Sequence, residues 1–210
     1  MKKLIALLLA MIMVMGLVAC GNSTDTTGTT DDTTQDTTAA TDEIVDDTTA
    51  EVQEPNDATA VLSAIWAAVP EENRFFAMGG DVSAMVDNDA GNYSLSDEGL
   101  TASLYVPADQ IKSLRCASSL MHAMLQNNFT CGVYQMGEGG DANAFADAMK
   151  ESIGSAQWIC GMPEKMIIAV IDGEYVLAAF GINDAITPFE TALGAVYADA
   201  EIVYNEPIAE

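Results

Sequence analysis

The residues best suited to chemistry lie in "QWICGMPEK", residues 157–165. An aromatic, a cysteine, a glycine and a proline stand close together there, as they do around redox-active cysteines. A nucleophilic cysteine needs a stabilised thiolate, supplied by a helix N-terminus, a nearby cation or a second cysteine in a C-x-x-C pair. Position 163, where the second cysteine of such a pair would fall, is Pro163. The nearest cations in sequence, Lys150 and Lys165, are not adjacent to Cys160. The periodicity also places a helix before the motif and a strand after it, the reverse of the redox arrangement. Gly161 and Pro163 read as turn residues. Trp158 and Cys160 read as apolar residues leading into a hairpin, with a thiol-dependent site at Cys160 as the alternative.

Metal chemistry has weaker support. "DNDAGNYSLSDE", residues 87–98, places Asp87, Asp89 and Glu98 at positions 1, 3 and 12 of a calcium loop. That loop needs glycine at position 6, and here Gly91 falls at 5 and Asn92 at 6. A turn-rich acidic loop is the better reading. His122 is the one histidine of the chain, and the pattern places it in a helix between Met121 and Met124. Beyond Cys20, the spacings of Cys116, Cys131 and Cys160 fit neither C-x-x-C nor a zinc knuckle. Three cysteines cannot form a closed disulfide set. The twelve methionines read as core filling. No catalytic residue, metal or cofactor is assigned. Tyr134 and Tyr175, with Trp158 and Cys160, are the candidates for contact with a ligand.

Those residues need elements to hold them. Asp57 is a suitable N-cap for a helix whose stripe is Val61, Leu62, Ile65, Trp66 and Val69, stopped by Pro70. Gly79 and Gly80 suggest a turn. "LTASLYV", residues 100–106, alternates and predicts a strand. Residues 108–126 predict a helix with Ile111, Leu114, Ser118, Met121 and Leu125 inward. "FTCGVYQM" predicts a strand, and Asp141 caps a helix with Phe145, Ala148, Met149 and Ile153 on its stripe. "MIIAVI" and "EYVLAAFG" flank Asp172-Gly173, a strong type I′ hairpin signal. Asp184 opens a last helix with Pro188 in its first turn, and "EIVY" predicts a final strand. The expected fold is α+β: a largely antiparallel sheet with a central β-hairpin and helices packed on one face.

The start of the chain says where these elements are delivered. Lys2 and Lys3 precede an apolar run that closes with "LVAC" at residues 17–20. The run is short for a membrane span and reads as a cleaved export signal. Its close resembles a lipoprotein lipobox, which implies a diacylglyceryl group (palmitate-type chains) on Cys20 and attachment to the extracytoplasmic face of a cell membrane. Residues 21–57 hold twelve Thr and eleven Asp or Glu, with no Lys or Arg. Such a segment cannot bury enough apolar surface to order itself and reads as a disordered tether. Residues 58–210 form the expected single α+β domain, with 21 acids against 5 bases. Over the whole chain the net charge is −25. A surface this acidic repels nucleic acid, and it leaves membrane attachment to the lipid rather than to a basic patch.

"NNFTCGVYQM", "ADAMKESI", "QWICGMPEKMIIAVIDGEYVLAAFG" and the acidic tether after a lipobox together resemble a group of uncharacterised lipoproteins of Gram-positive gut bacteria, sometimes labelled bacteriocin transport accessory proteins. The resemblance covers residues 58–205 loosely and 127–182 best. It implies an exported, lipid-anchored domain, and it brings no established activity and no functional residues. The functional expectation is a non-catalytic domain that binds an extracellular protein or a small ligand. The alternative is an extracytoplasmic thiol-dependent enzyme or export accessory protein centred on Cys160.

Overall fold

The computed structural model describes residues 56–159 and 161–208. The export signal with Cys20, the tether up to residue 55, and Cys160 lie outside the described residues.

The described residues are organised by one antiparallel sheet of eight strands. The hairpin of β6 (Lys165–Ile171) and β7 (Tyr175–Gly181) is interior to it but off-centre: β5 (Phe129–Met136), the middle strand of the order, flanks β7, and the edge strand β8 (Glu201–Pro207) flanks β6. The turn is the expected one: Asp172 and Gly173 have φ of 53° and 67°, the two left-handed residues a type I′ turn demands. The continuous apolar run of β6 follows from burial on both faces. Ile167 and Ala169 face one core, while Met166, Ile168 and Val170 face a second.

The helices divide between those two cores. On one face α1 (Asp57–Ala68) lays Leu62, Ile65 and Trp66 beside Ile186, Phe189 and Leu193 of α4 (Asn183–Val196). On the other, α3 (Ala142–Gly154) inserts Phe145, Met149 and Ile153. The α+β class and the antiparallel sheet are as the sequence indicates. The helices nonetheless occupy both faces rather than one, because strands apolar on both sides need cover on both sides. The helix before Cys160 is capped as read, with the Asp141 carboxylate accepting from Asn143 and Ala144 N–H at 3.0 and 3.1 Å. For α1 the cap is Asn56 rather than Asp57, its Oδ1 accepting the Thr59 N–H at 2.8 Å. Pro188 falls in the second turn of α4 rather than the first.

Two readings are corrected between residues 99 and 126. Residues 100–106 form no strand. A short helix, α2 (Gly99–Ala102), leads into an irregular segment that buries Leu100, Leu104 and Val106 in the second core. Leu100 and Leu104 are four apart, so one helical turn serves them as well as alternation does. The expected helix of residues 108–126 is instead a single 3₁₀ turn followed by β4 (Leu114–His122). Its run of Cys116, Ala117, Ser118 and Ser119 is small enough for α1 to lie close. The buried hydroxyls find acceptors: Ser118 Oγ donates to Ala58 O at 3.1 Å and Ser119 Oγ to Gly80 O at 3.2 Å. Cross-strand pairing here overrides local helical preference.

Three short strands complete the sheet. β1 (Ala77–Gly79) pairs with residues 120–122 of β4, and β3 (Gly91–Tyr93) with residues 117–119, so the two lie end to end along the same side of β4. At their joint a Cβ on Gly79 or Gly91 would strike the other strand's backbone. β2 (Val86–Asp87), two residues long, adds to β1 and closes one edge. β8 closes the other, carrying Glu201 and Glu206 and ending at Pro207.

Candidate functional site

The residues singled out from sequence are not brought together. Tyr134 is wholly buried against Phe145, out of reach of any ligand. Tyr175 is half-buried on the opposite face, where its hydroxyl accepts from Gln135 Nε2 at 3.2 Å. Trp158 packs on Tyr105 and Phe180 with ring centroids 5.0 and 5.1 Å away, filling the edge of the second core. Cys160 lies outside the described residues. Cys116 and Cys131 are free thiols. Burial pushes the Cys116 thiol above its ordinary value, against the opposing pull of the Ala58 N–H and Arg115. Burial alone pushes Cys131 well above. Both are held as neutral thiols, the opposite of what nucleophilic attack requires. No group of three or more His, Cys, Asp or Glu is placed to hold a metal among the described residues. Of the acidic stretch, Asp87 belongs to β2 and residues 91–93 to β3, with a strand rather than a helix before it.

A different site emerges from the pairing of β1 with β4. Met78 stands opposite Met121, and beyond β1 the chain turns through residues 80–85 before β2. This turn is fixed by Asp81. Its Oδ1 accepts from Ser83 N–H at 2.9 Å and Ser83 Oγ at 2.6 Å, and its Oδ2 from Ser94 N–H at 2.9 Å. Burial raises the Asp81 carboxyl, but these donors together with the Ala84 N–H outweigh it and hold the group below its usual value. Gly80 opens the turn at φ 83°, and a Cβ there would run into the Ala84 carbonyl. With its polar groups satisfied from within, the turn holds Val82 and Met85 outward.

Across from it, β4 ends in His122. The imidazole stacks on Phe75 with centroids 5.0 Å apart and planes 15° from parallel. Its Nδ1 accepts the backbone N–H groups of Met124 and Leu125 at 3.2 and 3.3 Å. His122 is therefore a strand-end cap rather than a mid-helix residue, and it shapes the loop that presents Met124 and Leu125. Asn127 Nδ2 donates to the carbonyls of Ile159 and Gly161 at 2.9 and 2.6 Å, which brings Ile159 beside that loop.

The product is a cleft of about 130 Å³ walled by Met78, Asp81, Val82, Met85, Met121 and His122. It continues past Ala123 and Gln126 into a shallower hollow of about 320 Å³ lined by Met124, Leu125 and Ile159. Along it Val82 is 83% exposed, Met124 82%, Ile159 79%, Met85 59% and Leu125 52%. Tyr93 lies at the cleft's inner wall, its phenol pushed up to about 12 by burial, with Asp97 and Asp81 adding to the effect. It stays neutral and able to donate. The reading of methionines as core filling thus fails for Met85 and Met124, which are exposed, while Met121 lines the cleft and also packs against the second core. The sequence did hold a signal: "DVSAMV" after Gly79-Gly80 puts three large apolar residues in and beside a turn, and "MHAML" ends a strand with more of them.

No family model, curated protein or solved structure matches the chain.

Proposed function

We propose that this chain is an exported lipoprotein, held at the extracytoplasmic face of a membrane through a diacylglyceryl group on Cys20, whose folded part is a non-catalytic module that binds a partner protein through the methionine-lined cleft. The observation that carries the binding reading is the side-by-side exposure of Val82, Met85, Met124, Leu125 and Ile159. Leaving apolar surface in water costs roughly 25 cal/mol per Å². Contiguous exposure of this kind marks a surface that is covered in use. The chemistry of the molecule favours binding over catalysis: at the cleft His122 Nδ1 is engaged by two backbone donors, and away from it the Cys116 and Cys131 thiols are held neutral. The "LVAC" close supports the anchor, and the resemblance to uncharacterised lipoproteins agrees with export.

The test is site-specific photo-crosslinking in producing cells. A benzophenone residue in place of Met124 should give a discrete protein adduct. The same residue in place of Thr191, exposed on α4, should give none. Equal labelling from both positions, or adducts to lipid alone, would remove the binding reading.

A further inference from the structure

We infer that the cleft receives a cationic, amphipathic peptide segment of its partner; the inference rests on the binding reading above and names the chemistry of the occupant. Two independent features of the molecule carry it.

The first is the lining. Met78, Met85, Met121 and Met124 are unbranched, polarizable side chains that repack around apolar groups of different shapes. A surface of this kind suits a segment recognised by its apolar face rather than by one fixed side chain.

The second is charge. Residues 58–210 carry 21 acids and 5 bases, and none of the bases lines the cleft or its continuation. Lys150 is paired with Glu206 at 3.0 Å and Lys165 with Glu190 at 2.8 Å. Arg74 donates to the Val69 and Ala67 carbonyls at 2.8 and 2.7 Å, at the end of α1. Lys112 and Arg115 stand at the opposite end of β4 from His122. Asp81 forms part of the wall, and Asp87 and Asp89 are exposed on the adjoining strand and turn. Arg74, which keeps its charge beside the Phe75 that stacks on His122, is the nearest cation; Asp81, Asp87 and Asp89 outnumber it, and the net negative field draws a basic segment and repels an acidic one. The same field opposes the two other occupants of an apolar patch. A second copy brings an equally acidic body to the interface, and a bilayer bears anionic headgroups.

The experiment uses residues 20–210 without lipid and three labelled probes of about 14 residues: an amphipathic Leu/Lys peptide, its Leu/Glu counterpart, and a Lys/Ser peptide of the same charge without an apolar face. Binding is read by fluorescence anisotropy. The Leu/Lys probe should bind at least about tenfold more tightly than either other probe. Its affinity should fall as salt rises from about 0.05 to 0.5 M. The double variant Met85→Gln/Met124→Gln should lose at least about tenfold. Both side chains are exposed, so the fold tolerates the change. Ile202→Gln, on the far edge strand β8, should bind like the parent. Equal binding of the Leu/Glu and Leu/Lys probes, still lost in the double variant, would overturn the cationic assignment and leave the binding module standing. Leu/Lys binding that the double variant retains would overturn both. Association with anionic vesicles, or dimerisation in the ultracentrifuge, that Met124→Gln abolishes would assign the cleft to a membrane or a second copy and overturn the inference.

Discussion

The Asp81 carboxylate receives the backbone N–H of Ser94, thirteen residues away, at 2.9 Å. This bond ties the turn that presents Val82 and Met85 to the end of β3. Asp81→Asn would leave one acceptor and turn an amide N–H₂ toward donors. It should destabilise the fold by about 1–3 kcal/mol near neutral pH. The folded carboxyl lies below its ordinary value, so its contribution is complete above the ordinary carboxylate range and is lost as pH falls through the lowered value. Denaturant melts of parent and variant should therefore differ at neutral pH and converge toward acid. A gap that persists in strong acid would mean that packing, not the charge, fixes the turn.

Gly173 should be set by backbone conformation alone. It sits at φ 67° with open space where a Cβ would go. Gly173→Val should cost about 1–3 kcal/mol, although no neighbour would clash. Asp172→Asn should be nearly neutral, since Asn-Gly suits the same turn. Urea melts of the pair check this, and a fully stable Gly173→Val would contradict the turn's role in setting the register of β6 against β7.

Asn56 joins the start of α1 to the sheet. Its Oδ1 caps Thr59 at 2.8 Å while its Nδ2 donates to Ala117 O at 3.0 Å. Asn56→Ala should lose about 1–2 kcal/mol. Asn56→Asp keeps the cap acceptor but sets an oxygen against the Ala117 carbonyl, so its loss should be intermediate. Thermal melts that rank aspartate below alanine would show that the cap contributes little.

Anchoring is tested at Cys20. Cys20→Ser should leave the chain unprocessed, or release it from the detergent-soluble membrane fraction. Fractionation with mass measurement of the N-terminus reads both results. Unchanged membrane partition with a processed N-terminus would refute the lipid anchor.

What the sequence made legible follows a physical divide. The β6–β7 hairpin could be read because register, turn chemistry and apolar content all lie within about 20 contiguous residues. The helix stripes of α1 and α3 were local in the same sense. β4 was not legible, because Ser118 and Ser119 look unlike strand-core residues until Ala58 and Gly80 supply their acceptors. The cleft was illegible for a related reason. Its walls come from residues 78–85, Tyr93, 121–126 and 159, which the β1–β4 pairing, the Asp81–Ser94 bond and the Asn127 amide bring together. Tyr134 and Tyr175 drew attention as aromatics, yet adjacent strands turn them to opposite faces of the sheet.

The edges of the sheet bear on how densely such molecules can be gathered. Crowded copies meet flank to flank, and a long bare strand would let each recruit the next by backbone pairing into a growing ribbon. Here one flank offers only the two residues of β2 and the three of β3, and the other carries Glu201, which would confront its own image. It ends at Pro207, which has no N–H to give. Both routes to strand-by-strand growth are thereby disfavoured.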